Sequence, residues 1–338
     1  MGFWEKMKIA QVREQVKDYD SERLRIIINE LYKVLPKKLI EEKGIDDLLK
    51  NPEEYVTRRK KGGGAGLPDF NQVKRETEIF IEYAGQHYYF APNRVVHKKD
   101  RPKWRFIVKR LYKDLISSSK NPEYSAEAVN LMGRLYCLMC EACGVYLFSS
   151  DDPFQSVGID QTEFFRMVVA VKKQAGLPED WVMEAIRLII DNDVDNYTLT
   201  TELMYTLLEF LNTAPLKEKA VEQCDRLRRE IVGVAKKRRP AGFSESKKNN
   251  DLVEMVLILQ MELGEHEQAV GYFKSFYRAS NTEVALYVLL QWLQRYGLKD
   301  LWIKEYETAT QQGVRPRDEL LNKFKQLKAK GEFPTYFS

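Results

Sequence analysis

Residues 20–36 have the sequence DSERLRIIINELYKVLP, and this stretch shows the pattern that decides the fold class. Its apolar residues recur at intervals of three and four, which is the period of one face of an α-helix. Asp20 or Ser21 can cap the N-terminus of such a helix, and Pro36 cannot continue it. The pattern predicts an amphipathic helix, whose apolar stripe contains Leu24, Ile27, Ile28, Leu31 and Leu35.

The same helical period recurs along the whole chain, whereas strand patterns are scarce. Asp69 and Gln72 form a capping-box pattern before the next helix, and Gly85 is a typical helix end. Only residues 86–96 lack the period, and they form either a loop or a short β element. The sequence therefore predicts an all-α protein of stacked antiparallel helix pairs, either α-solenoid-like or an irregular multi-helix array. Further helices are predicted over 102–118, 125–148, 160–175, 179–190, 200–212 and 216–235.

Composition limits the class of protein. The chain has 338 residues, of which 44% are hydrophobic and 31% charged, and this is the profile of a folded globular protein. The 54 basic and 50 acidic residues nearly cancel, so attraction to nucleic acid requires local clustering of charge. No run of about 18 apolar residues suggests a membrane span, and no secretory signal pattern is present. Because the chain has only four cysteines, we expect a reducing, cytoplasmic location. Because it has no apolar span, we expect no membrane partner.

Two segments interrupt the helical period and suggest domain limits. Residues 57–66 (TRRKKGGGAG) are charged and then glycine-rich, which predicts a flexible loop over 57–68. The sequence KKRRPAGFSESKKNN predicts a charged linker over 236–250. Its KKRR could bind anions or direct nuclear import, although cations also favour the C-terminal end of a helix. The predicted domains are an N-terminal helical region over 1–56, a central helical domain over 69–235 and a C-terminal helical domain over 251–338.

A more specific pattern lies in residues 263–273, LGEHEQAVGYF. Gly264 stands where the chain turns between two helices, and the small Ala269 lets the helices approach closely. This stretch resembles the tetratricopeptide repeat, over about residues 250–279, and the aromatic positions of the repeat hold Tyr272 and Phe273. The resemblance implies an antiparallel helix pair and a protein-binding surface, but no chemistry.

The resemblance weakens after this helix pair. Phe276 stands where the repeat has a small residue, and Asn281 stands where it often has proline. The following pair, over 283–311, has Trp302 at the alanine position. The C-terminal third is therefore predicted to be a degenerate helical-repeat stack of a few pairs.

The densest charge feature is residues 94–113, RVVHKKDRPKWRFIVKRLYK, with nine Lys or Arg residues and one Asp. Basic side chains neutralise phosphates, and interleaved aromatic rings stack on unpaired bases. Alternatively, Trp104, Val108 and Leu111 face a core, and the basic residues form the solvated side of the same helix. The candidate anion-binding or nucleic-acid-binding residues are Arg94, Lys98, Lys99, Arg101, Lys103, Trp104, Arg105, Lys109, Arg110 and Lys113.

An acidic segment, DNDVDNYTLTTE over 191–202, matches a calcium-binding EF-hand loop at positions 1, 3, 5 and 12. However, Asn196 replaces the usual glycine of that loop, and Leu199 offers no side-chain oxygen. An acidic turn between two helices is the alternative interpretation. The candidate calcium ligands are Asp191, Asp193, Asp195 and Glu202.

No catalytic or cofactor-binding signature emerges from the remaining residues. Cys137, Cys140 and Cys143 have a spacing found in metal sites, but they lie in an apolar helical stretch where thiols commonly fill a core. The glycine-rich run lacks the Lys-Ser/Thr pair of a phosphate-binding loop, and the three histidines are far apart. The sequence favours a protein-binding adaptor or scaffold without a cofactor. The alternatives are a nucleic-acid-associated protein that uses residues 94–113, or an enzyme whose site is assembled from distant helices.

Overall fold

The computed structural model describes residues 9–36, 40, 45–53, 69–235 and 243–333. The chain forms two compact units, Met1–Gly66 and Leu67–Ser338. Within the described residues there are sixteen α-helices and no strand, so the all-α prediction is confirmed. The predicted flexible loop over 57–68 and the KKRR sequence over 236–239 lie outside the described residues.

The first unit contains three helices, α1 (Ile9–Val16), α2 (Ser21–Val34) and α3 (Ile45–Lys50). The predicted cap of α2 is confirmed, since Oδ1 of Asp20 accepts a hydrogen bond from the Arg23 amide over 2.8 Å. No residue of α2 is buried. The side chains of its apolar stripe are half-buried or exposed.

The second unit contains thirteen helices of the described chain. They are α4 (Phe70–Gly85), α5 (Trp104–Ser118), α6 (Ser125–Gly144), α7 (Pro153–Val157), α8 (Gln161–Ala175), α9 (Pro178–Ile190), α10 (Thr200–Leu208), α11 (Ala214–Ala235), α12 (Phe243–Glu262), α13 (His266–Phe276), α14 (Thr282–Arg295), α15 (Lys299–Gln311) and α16 (Asp318–Lys330). A short 3-10 helix, Arg101–Lys103, leads into α5.

The helices of the second unit pack in chain order. Each of α4 and α5 packs on α6, α6 packs on α8, and α8 packs on both α9 and α10. The order continues from α9 to α11, from α11 to α12 and from α12 to α13, and then through α14 and α15 to α16. Short connections make successive helices neighbours in space, as expected for a multi-helix array. A hydrophobic core runs through the unit between them.

Several helix ends agree with local sequence signals. Asp69 caps α4 by accepting a hydrogen bond from the Asn71 amide over 3.1 Å, and α4 ends at Gly85. The second half of the predicted capping box does not form between these described residues, and the side-chain amide of Gln72 donates to Oε1 of Glu76. Pro178 opens α9 as expected for a residue without an amide hydrogen.

Other boundaries differ from the prediction. Helix α6 ends at Gly144 rather than at residue 148, since Val145 adopts an extended backbone. Helix α10 ends at Leu208 rather than at residue 212. Residues 86–96 form turns and bends without a strand.

The predicted linker over 236–250 is partly replaced by helix. Helix α12 begins at Phe243, so residues 243–250 form its first two turns. The side chain of Asn249 is buried and donates to the Phe276 carbonyl over 2.9 Å, while Asn250 donates to the Arg278 carbonyl. These bonds tie the start of α12 to the end of α13. Residues 236–242 lie outside the described part.

The helix pair predicted around Gly264 is present as α12 and α13. Gly264 has φ of +79°, a left-handed conformation that favours glycine. Ala269 and Phe273 are buried in the core. None of the helices in the described parts of the chain has both the length and the apolar character needed to cross a membrane.

Candidate functional site

An open groove of about 670 Å³ lies between α6, α8 and α9. Helix α6 contributes residues spaced by three and four along one face, among them the small Ala126, Gly133 and Cys137. Because these side chains are small, they leave an open space between this face of α6 and the neighbouring helices. Val129 of α6 and Trp181 of α9 are buried and give the groove an apolar floor.

An ion pair between two walls of this groove joins a largely buried lysine to an exposed glutamate. The ammonium group of Lys172 on α8 pairs with the carboxylate of Glu184 on α9, and the Lys172 side chain is only 11% exposed. A β-carbon at Gly133 would lie 3.5 Å from Cε of Lys172, so the lysine stem passes directly over this glycine. The pair joins two walls of the groove, and a side chain larger than that of alanine at position 133 would meet it.

The rim of the groove carries exposed charges of both signs. Arg134 and Glu141 lie on α6, and Asp180 lies on α9. Among the described residues, these three have no ion-pair partner. By contrast, Arg187 on the same rim pairs with Glu230 of α11 over 3.2 Å. The groove therefore offers free charges around an apolar floor.

The cysteines near the groove are not activated for chemistry. Burial raises the pKa of Cys137 above its ordinary value, although Asn192 and Lys172 act against this shift. Burial also raises the pKa of Cys140, and it raises that of Cys143 to about 12. Since the thiolate is the nucleophile and the metal ligand, three protonated thiols favour the core-filling interpretation. Across the described residues, no three His, Cys, Asp or Glu side chains are arranged to hold a metal ion.

Some residues of the basic segment 94–113 are buried or paired within the fold, and the others are exposed without a carboxylate partner in the described chain. Trp104 is 3% exposed and stacks on Phe148 at 4.1 Å, so the prediction that its ring is available to a base is wrong. Lys103 pairs with Asp100 over 2.7 Å. Two further cations are also engaged, Arg101 with backbone carbonyls and Arg110 with carboxylates of α4 and α5.

The other basic residues of this segment are exposed to solvent. They have no carboxylate partner in the described chain. Helix α5 meanwhile buries Val108 and Leu111, as the alternative interpretation predicted. The free cations are Arg94, Lys98, Lys99, Arg105, Lys109 and Lys113.

The acidic segment is built as a turn between α9 and α10. Asp191 pairs with Lys248 over 2.6 Å, and Oδ1 of Asp195 accepts from the Tyr197 amide over 3.0 Å. Glu202 caps α10 by accepting from the Leu199 amide over 3.1 Å. The fourth predicted ligand, Asp193, is not held against these groups by any hydrogen bond of its carboxylate in the described part. Three of the four carboxylates thus face separate partners, and among the described residues the four are not grouped to hold a metal ion.

Sequence reasoning missed two features of this region. Gln161 is fully buried and fixes the acidic turn, donating to the Asp193 carbonyl over 3.0 Å and accepting from the Asp195 amide over 2.8 Å. The Lys172–Glu184 pair was also missed, because it depends on how α8 meets α9. The small residues at helical spacing on α6 were the signal that could have predicted an open space at this helix face.

No family model, no curated protein and no solved structure matches this chain.

Proposed function

We propose that this protein is a cytoplasmic protein-binding adaptor or scaffold that holds a segment of a partner polypeptide in the groove between α6 and α9. One observation carries the proposal. Arg134, Glu141 and Asp180 are exposed and unpaired around a floor containing Val129 and Trp181. Interfaces commonly combine an apolar centre with a polar rim.

Contacts between the helices that line the groove support binding. The Lys172–Glu184 pair joins α8 to α9, and Val129 and Trp181 are buried beside it. The groove is therefore formed by the fold of the chain itself. A preformed site loses less conformational entropy on binding.

The charges on the rim indicate the chemistry of the partner. An acidic side chain of the partner would meet Arg134, and a basic one would meet Glu141 or Asp180. An apolar side chain between them would cover Val129 and Trp181. The resemblance of residues 250–279 to a protein-binding repeat family agrees with this function.

The test is affinity purification of the tagged protein from its native lysate, with low-salt and high-salt washes and analysis of both protein and nucleic acid. Asn130→Trp fills the groove, and Arg134→Glu with Glu141→Lys reverses its free charges. The matched control is Lys325→Glu, at an exposed site on α16. We expect a discrete protein that the wild type and the control retain at high salt and both groove variants lose. Equal recovery by all four proteins would contradict the proposal.

A further inference from the structure

A second surface, which shares no residue with the groove, exposes two stacked aromatic rings. Phe90 is 45% exposed and Tyr146 is 60% exposed. Their ring centroids are 5.7 Å apart and their planes differ by 17°. Exposed aromatic side chains that stack flat on each other present a π-face to solvent, and such a face can accept a further planar group.

An unusual turn holds this pair of rings in place. His87 has φ of +58°, a left-handed conformation that is uncommon for a residue other than glycine. Its carbonyl accepts hydrogen bonds from the amides of Phe90 and Ala91, over 3.0 and 2.8 Å. Its ring Nδ1 donates to the Tyr146 carbonyl over 3.1 Å. The backbone that carries Phe90 is thus tied to the backbone that carries Tyr146.

The loop after Phe90 is also ordered, by Asn93. Its side-chain amide donates to the Tyr88 and Ala91 carbonyls, over 2.7 Å each. Its Oδ1 accepts from the amides of Val95 and Val96. This loop therefore folds back on the residues beside Phe90, and Arg101 closes it further by donating to the Asn93 and Val96 carbonyls.

Four of the free cations belong to this region, namely Arg94, Lys98, Lys99 and Arg105. The first three lie on the ordered loop, and Arg105 follows Trp104 at the start of α5. The Trp104 ring stacks on Phe148, which also lies 6.1 Å from the ring of Tyr89. Tyr89 and Trp104, which precede Phe90 and Arg105 in the chain, therefore pack on the same buried ring. We call the six residues Phe90, Tyr146, Arg94, Lys98, Lys99 and Arg105 the aromatic–basic surface.

We infer that the aromatic–basic surface binds single-stranded nucleic acid, with an unpaired base stacked on Phe90 and Tyr146 and phosphates near the free cations. Stacking needs a base that is not already paired, whereas cations alone would serve a duplex equally well. In this inference the stacking role predicted for Trp104, which is buried, belongs instead to the exposed rings of Phe90 and Tyr146. This binding is independent of the groove.

The experiment measures fluorescence anisotropy of a labelled oligouridylate of about 12 nucleotides, within the usual site sizes of single-strand binders. Binding by the full chain is recorded over a range of salt concentrations. If four phosphates are neutralised, the slope of log K against log salt is about −3. Lys98→Gln with Lys99→Gln should make this slope shallower by about 1.4. The same change at Lys325 and Lys330, exposed on α16, is the control and should leave it unchanged.

The aromatic residues give a separate readout. Phe90→Ala and Tyr146→Ala should each weaken binding by about 5- to 100-fold without changing the salt slope. Phe90→Leu keeps apolar bulk and should show a similar loss, which separates stacking from folding. Tyr197→Ala removes an exposed tyrosine on the acidic turn and should have no effect.

Four results would overturn the inference. One is the absence of binding at low salt. Two others are equal affinity for a duplex of the same length and an affinity that Phe90→Leu leaves unchanged, since stacking would then have no role. The fourth is binding to vesicles of phosphatidylcholine and phosphatidylserine in place of the oligouridylate, which would assign the surface to a membrane.

Discussion

The indole Nε1 of Trp292 on α14 donates a hydrogen bond over 3.1 Å to Oε2 of Glu254 on α12. Glu254 lies between Val253 and Met255, which are both buried in the core. Burial raises the pKa of Glu254 to about 7, and nearby Asp251 adds to the shift. The Trp292 bond and Lys247 act in the opposite direction. A carboxyl group inside the C-terminal helices thus titrates near neutral pH.

The raised pKa of Glu254 predicts a stability that depends on pH. Its ordinary value is 4.5, so the unfolded chain releases this proton at lower pH than the folded protein. Its contribution is fully present below about pH 4.5 and is lost as the pH rises through about 7. Glu254→Gln keeps an acceptor for Trp292 and removes the titration. We expect it to raise the free energy of unfolding at pH 8 by roughly 1–3 kcal/mol relative to the wild type.

Urea unfolding at pH 5 and pH 8 measures this effect. The difference between the two pH values should shrink in Glu254→Gln. An unchanged difference would show that groups other than Glu254 govern the pH dependence.

A buried ion pair on α11 predicts a large loss of stability. The Arg228 side chain is 9% exposed, pairs with Asp225 over 2.8 Å and donates to the Tyr272 hydroxyl of α13 over 2.9 Å. Asp225→Ala leaves this guanidinium without its counter-charge and should cost about 3–5 kcal/mol. Glu230→Ala on the same helix removes exposed pairs only and should cost under about 1 kcal/mol. Chemical denaturation of both variants measures the difference, and equal losses would refute the assignment.

Substitution by alanine at two glycines should change the stability of the protein in opposite directions. In Gly133→Ala the new methyl group makes an ordinary contact with Lys172, and a better helix former replaces glycine inside α6. The melting temperature should rise, because the free energy of unfolding should increase by about 0.5–1 kcal/mol. Gly264→Ala forces alanine into a left-handed conformation and should cost about 1–2 kcal/mol. Thermal unfolding that shifts in the same direction for both variants would contradict the two local structures.

Local signals allowed much of the fold to be predicted. Asp20, Asp69 and Pro178 mark helix starts because a cap or a missing amide acts on the nearest turn. The stops at residues 144 and 208 depend instead on how the following chain packs, so the predicted ends were too late. The start of α12 was missed because the bonds of Asn249 reach the distant end of α13.

The candidate site was less predictable than the fold. Trp104 and Arg105 are neighbours in a basic segment, yet one is core and the other is solvent-exposed. The groove requires α6, α8 and α9 to meet, and no spacing in the sequence encodes the partner of Lys172. Phe90 and Tyr146 are joined only through the fold.

The most direct test of the protein-binding groove is photo-crosslinking in the native lysate. A benzophenone amino acid replaces Ala175 at the exposed edge of the groove, or Lys325 on α16 as the control. We expect one discrete crosslinked protein from position 175, lost when Arg134→Glu and Glu141→Lys are added, and no such product from position 325. Crosslinks of equal yield from both positions, or a product that survives the charge reversal, would contradict it.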